Sequence, residues 1–176
     1  MAISELVAVV PPPQIPRETG PWSSLPNVER RLGTKLPKDI IDLGQTYGTG
    51  SFAGNVITVF NPFSGRYVDD VELFSGIYRQ LSEAEGKDAV PYPLFPKKSG
   101  LLIWGRTASG NAMFWRTIGE PDEWPIVLLL HGGFFEEWKL SVTTFLAKVL
   151  SKEMECILFS KEWVRENSKA LSFSPR

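Results

Sequence analysis

The fold turns on one stretch: Leu101-Leu102-Ile103-Trp104-Gly105-Arg106-Thr107, then Ala108-Ser109-Gly110-Asn111, then Ala112-Met113-Phe114-Trp115-Arg116-Thr117-Ile118. Two runs of aliphatic and aromatic residues flank a short connection holding the Gly110 and Asn111 that tight turns favour. They read as a β-hairpin with Trp104 and Trp115 on its two arms. A cross-strand aromatic pair of that kind contributes about 0.2–1 kcal/mol over an alanine pair. Gly105 suits a bulge, or a close approach by the Trp of the neighbouring strand.

Working outward, residues 125–131 read as a third strand and residues 135–140 as a fourth, which makes a meander. Ser141 suits the N-cap of a helix that carries Val142, Phe145, Leu146, Val149 and Leu150 on one face. A strand-like piece at residues 156–159 and a short helix from Lys161 follow. On the N-terminal side, Val71, Phe74, Ile77, Tyr78 and Leu81 recur at helical spacing, with Asp69, Asp70 and Glu72 crowding the helix start, where the dipole favours acids. Residues 61–65 form a turn, and residues 51–60 read as one strand.

Two short helices come earlier. Pro26 opens one, with Leu25, Val28 and Leu32 as its apolar stripe and Gly33 closing it. Pro37 opens the other, with Ile40, Ile41, Leu43 and Tyr47 buried and Gly48 fitting a left-handed cap. Residues 1–21 read as a lead-in arm, because Pro11-Pro12-Pro13 favours polyproline geometry. Within it, residues 3–10 fit a short helix or an edge strand equally well. The expectation is one α+β domain over residues 22–176: a twisted, mainly antiparallel sheet flanked by helices.

Composition narrows the function. The 176 residues are 43% hydrophobic, 12% aromatic and 22% charged, a globular profile. With 19 basic and 20 acidic residues the net charge is −1. That balance argues against direct nucleic-acid binding, which draws its affinity from basic side chains, and against an anionic membrane surface. Cys156 is the single cysteine, so no intrachain disulfide forms. No signal peptide or membrane-length apolar run is evident, and the expected location is the cytoplasm.

Three motifs invite a catalytic or cofactor reading. Leu130-His131-Gly132-Gly133 is similar to an esterase oxyanion segment. However, no Gly-x-Ser-x-Gly elbow accompanies it, and the one histidine cannot be both oxyanion-segment residue and base. A strand ending in a glycine turn explains it, and a small hydrolase is kept only as a remote alternative. Gly48-Thr49-Gly50 has helix before and strand after, the reverse of a phosphate-binding fingerprint. One histidine and one cysteine do not make a metal site, and the Asp69, Asp70 and Glu72 run belongs to its helix dipole. No enzyme activity, cofactor or metal is expected.

The ordered series is more informative. Val28-Glu29-Arg30-Arg31-Leu32-Gly33 precedes Leu36-Pro37-Lys38-Asp39 and Tyr47-Gly48-Thr49-Gly50. Then come Leu101 to Gly105, Gly110-Asn111, Phe114-Trp115, Glu120-Pro121-Asp122-Glu123-Trp124-Pro125 and the helix after Ser141. Over residues 25–150 this series resembles the SUKH superfamily of Smi/Knr-like and Syd-like proteins. The resemblance implies an α+β fold and a non-catalytic binding role. Bacterial members look like immunity proteins that neutralise a toxin, often a nuclease, and others look like scaffolds in regulation or cell-wall signalling.

Gly48, Gly50, Trp104, Gly105, Gly110 and Trp115 are assigned to the fold. Partner binding is expected from acidic side chains interleaved with aromatics, which suit a basic partner such as a nuclease toxin. The candidates are Asp69, Asp70 and Glu72; Glu120, Asp122 and Glu123 with Trp124; and Glu136 and Glu137 beside Trp138.

Overall fold

The structure, a computed structural model, describes residues 2–166 and 171–176. Its centre is a seven-stranded antiparallel sheet in the order β6-β5-β4-β3-β2-β1-β7. The strands are β1 (Gly50–Phe52), β2 (Ile57–Val59), β3 (Leu101–Thr107), β4 (Ala112–Arg116), β5 (Ile126–Leu129), β6 (Phe135–Trp138) and β7 (Phe173–Pro175). The helices are α1 (Ala2–Val9), α2 (Leu25–Leu32), α3 (Lys38–Tyr47), α4 (Tyr67–Glu85), α5 (Val142–Leu150) and α6 (Lys161–Glu166). The domain is α+β, as its sequence pattern implies. Among the described residues, no helix is long and apolar enough to cross a membrane.

The β3–β4 hairpin is the spine. Its register shifts between Ile103 and Gly105, so Trp104 is the extra residue of a bulge. A Cβ on Gly105 would lie 2.7 Å from the Thr58 carbonyl oxygen and 2.9 Å from the Met113 methyl. The close approach is therefore by backbone and methionine, not by a Trp. Trp104 and Trp115 have ring centroids 6.2 Å apart, and Trp104 continues to Phe145 of α5 at 6.3 Å. Neighbouring residues on a strand face opposite ways, so Phe114 points to the other side, where it meets Tyr78 of α4 at 5.2 Å. Helix α5, with α1 and α3 against it, covers one face of the sheet, and α4 lies on the other. Ser141 caps α5 as its sequence predicts, accepting a hydrogen bond from the Thr144 N–H at 3.2 Å.

Three expectations need correction, and one left open is decided. Of the helix and edge strand that residues 3–10 fit within the lead-in arm, the helix forms: α1 packs on α5, and Leu6 and Val10 are wholly buried. The Val10 carbonyl accepts from the Tyr47 hydroxyl at 2.6 Å, and the Arg17 carbonyl accepts from the Thr49 N–H at 2.9 Å. Ile3 and Leu6 share one face of α1 and Val10 continues it just past the helix end, and the prolines that follow only redirect the chain. Residues 51–60 are two strands, because Ala53, Gly54 and Asn55 take φ of 52°, 62° and 71° and turn the chain back. Residues 156–159 close a tight turn through one isolated bridge instead of joining the sheet. Gly48 caps α3 with φ 71° but ψ −157°, outside the left-handed helical region; a Cβ there would collide with the Arg17 backbone.

Candidate partner interface

The two ends of the central sheet differ in chemistry. At the first end, the β4–β5 connection and the β6–α5 connection come together around a hollow of about 540 Å³. Ile118, Trp124, Pro125 and Leu140 supply its apolar wall, and Asp122, Glu123 and Glu137 its charge, against the single basic side chain of Lys139. Ile118 is 40% exposed, because β4 ends at Arg116 and leaves it beyond the pairing.

Several expected binding residues there already have intramolecular work. Asp122 Oδ1 accepts from the backbone N–H of Lys38 at 2.6 Å, satisfying one of the unpaired donors at the start of α3. Glu137 pairs with Arg116 at 3.2 Å and accepts from the Tyr92 hydroxyl at 3.0 Å. Glu136 accepts from the Trp138 indole and from the Ile157 N–H, at 3.3 and 2.9 Å. Trp124 is only 6% exposed: its ring lies 6.1 Å from Trp115 and its indole N–H donates to the Gly119 carbonyl. It is a core residue bordering the hollow and not an exposed anchor, which corrects its expected role. Glu120 and Glu123 are exposed, and neither carboxylate bonds to another side chain among the described residues.

Asp69, Asp70 and Glu72 do not join this hollow. Asp69 pairs with Arg31 of α2 at 2.8 Å, and Asp70 with Arg66 at 3.5 Å, beside β1 and β2. Glu72 lines a separate depression together with Arg31 and Arg79. The structure brings Asp122 and Glu123 of the second acidic group together with Glu137 of the third, turns Glu136 away towards Ile157, and leaves the first group apart. Burial also perturbs a carboxyl near this end. Asp39, which accepts from the Thr143 N–H at the start of α5, is held above the usual 3.8, chiefly by desolvation, with the Asp122 charge adding.

At the other end of the sheet lie the β3–β4 turn, the β5–β6 turn and the C-terminal half of α4. They enclose a groove of about 530 Å³ lined by Phe74, Ile77, Tyr78, Leu81 and Ile103, with Arg106 and His131 as its basic side chains. The sequence pattern does not single out this site, because it groups Ile77 with Val71, Phe74, Tyr78 and Leu81 in one helical series. Val71 and Tyr78 are buried, but Ile77 is 50% exposed and Leu73 57%. The signal was present: Leu73 and Ile77 lie off the stripe made by Val71, Phe74, Tyr78 and Leu81, and form a second apolar row.

The motifs weighed as catalytic find structural roles. Gly132 and Gly133 take φ of 91° and 83° in the turn after β5, and the Gly133 N–H donates to the Leu130 carbonyl at 3.3 Å. The His131 imidazole lies over Gly110, with no hydrogen bond to it among the described residues. Burial pushes the Cys156 thiol up to about 11, away from thiolate chemistry. Among the described residues, no three His, Cys, Asp or Glu side chains gather as metal ligands.

A family model described as SUKH_6, SMI1-KNR4 cell-wall, matches residues 23–146. No curated protein matches the chain, and no solved structure does.

Proposed function

This chain belongs to the SUKH_6 family, SMI1-KNR4 cell-wall, and from that premise we propose that it is a non-catalytic immunity protein. It binds and neutralises a cognate toxin in the cytoplasm. The acidic end of the sheet is the docking surface, and the toxin presents a basic face to it, as a nuclease domain does. The observation that supports this reading is the hollow in which Asp122, Glu123 and Glu137 surround the exposed Ile118. Acidic side chains around an apolar centre match what a basic partner needs: charge steers the encounter, and the buried apolar contact slows release. Glu120 and Glu123 carry the steering, since their charge is not spent on an internal bond.

Co-expression with the toxin candidate encoded beside the gene tests the proposal. Host growth should be restored by the wild-type chain and not by the Glu120→Lys, Glu123→Lys variant. If no neighbouring toxin is bound or neutralised, the immunity reading is wrong. A second reading, a scaffold in regulation or cell-wall signalling, draws on the cell-wall description of the family. It predicts several host protein partners and no toxin gene nearby.

A further inference from the structure

We propose that the groove beside α4 is a second, independent docking site for an amphipathic helix from a partner protein that carries a carboxylate on its apolar face. Ile77 lines the groove and Leu73, one turn earlier on α4, lines the adjoining hollow; both are half or more exposed. Their row continues through Gln80 to Ala84, the spacing at which one helix offers ridges and grooves to another. Phe74, Tyr78, Leu81 and Ile103 form the walls. Single apolar side chains at a surface are ordinary, but contiguous ones bordering a groove mark contact surfaces.

Charge selects the occupant. Arg106 lies in the wall with its guanidinium 4.7 Å from the centroid of the Phe74 ring. It borders both this groove and the neighbouring polar hollow beside β1 and β2. No carboxylate lines the groove, and Arg106 pairs with none among the described residues. A helix bringing one Glu or Asp among its apolar side chains would complete that cation. A second copy of this chain fits poorly, because a two-fold contact pairs the patch with itself and the groove lining has no carboxylate to offer the other copy's Arg106. Laying an apolar helical face into such a groove is a common recognition mode. This surface stands apart from the acidic end and does not depend on it.

The test is an NMR titration of the full, isotope-labelled chain with a synthetic amphipathic peptide of about 14 residues, roughly four helical turns. The peptide has leucines on one face and a single glutamate among them; its partner peptide has lysine instead. Saturable shifts are expected at Ile77, Leu81, Arg106 and His131. The glutamate peptide should bind about tenfold or more tightly than the lysine peptide, the size of one charge-assisted hydrogen bond. Arg106→Glu should reverse that preference, Arg106→Gln should erase it, and Ile77→Asp should abolish binding by both. Retained spectral dispersion checks folding, and Arg106→Gln carries the test if Arg106→Glu unfolds. Equal affinity for the two peptides, no saturable shift, or shifts elsewhere would overturn the proposal. So would a concentration-dependent dimer that Ile77→Asp dissolves.

Discussion

The acidic hollow and the α4 groove are built from similar parts, turns between antiparallel strands plus a neighbouring helix, yet their side chains stand in different relations to the fold. At the acidic end, Asp122 holds the start of α3 and Glu137 binds Arg116 and Tyr92. Those carboxylates have a structural reason to be where they are. Ile77 in the groove, and Leu73 at its border with the neighbouring hollow, have none: they leave the buried stripe of their own helix and face water. An acid on a surface is therefore weak evidence of a partner until its internal bonds are known. Exposed aliphatic side chains beside an arginine that has no carboxylate partner among the described residues are stronger evidence.

The largest expected effect tests what the two regions share. Trp115 contacts Trp104 and Trp124, linking the hairpin to the wall of the acidic hollow. Trp115→Ala should cost about 3–5 kcal/mol and weaken both surfaces together. Denaturant unfolding measures it; a small loss would mean that the acidic end is built independently of the hairpin. Next, Asp122→Ala removes a helix-start acceptor and should cost about 1 kcal/mol, whereas Leu73→Ser with Ile77→Ser should change stability by less than about 0.5 kcal/mol. If the groove variant were the more damaging, the contrast between the ends would fail.

The smallest effect concerns Asp39. Its carboxyl holds a proton more tightly in the folded chain than in the unfolded one. Its contribution to stability is therefore fully present below pH 3.8 and is lost as pH rises through its folded pKa. Carbon-detected NMR should find it titrating above 3.8, and Asp122→Asn should lower that midpoint.

Much of the fold was legible because its signals are local. The bounds of β3 follow from Leu101 to Thr107, the cap of α5 from Ser141, and the end of α2 from Gly33, whose φ is 84°. What escaped depends on contacts distant in sequence. The strand β7 is three residues long, and its Phe173 packs on Phe52 and Tyr47 at 4.9 and 5.2 Å. Helix α1 is held by α5, at the far end of the chain. The acidic residues were legible as charge but not as bonded groups, since the bond from Lys38 to Asp122 spans 84 positions. Trp124 looked like an anchor because nothing local reveals that Trp115 covers it.

The most direct test of the binding account is chemical-shift mapping of the isotope-labelled chain with the purified toxin candidate encoded beside its gene. The account predicts shifts concentrated at Ile118, Glu120, Glu123 and Lys139, an association rate that falls with salt, and a further fall on Glu120→Lys with Glu123→Lys. Shifts confined to α4, or an affinity indifferent to those two charge reversals, would contradict it.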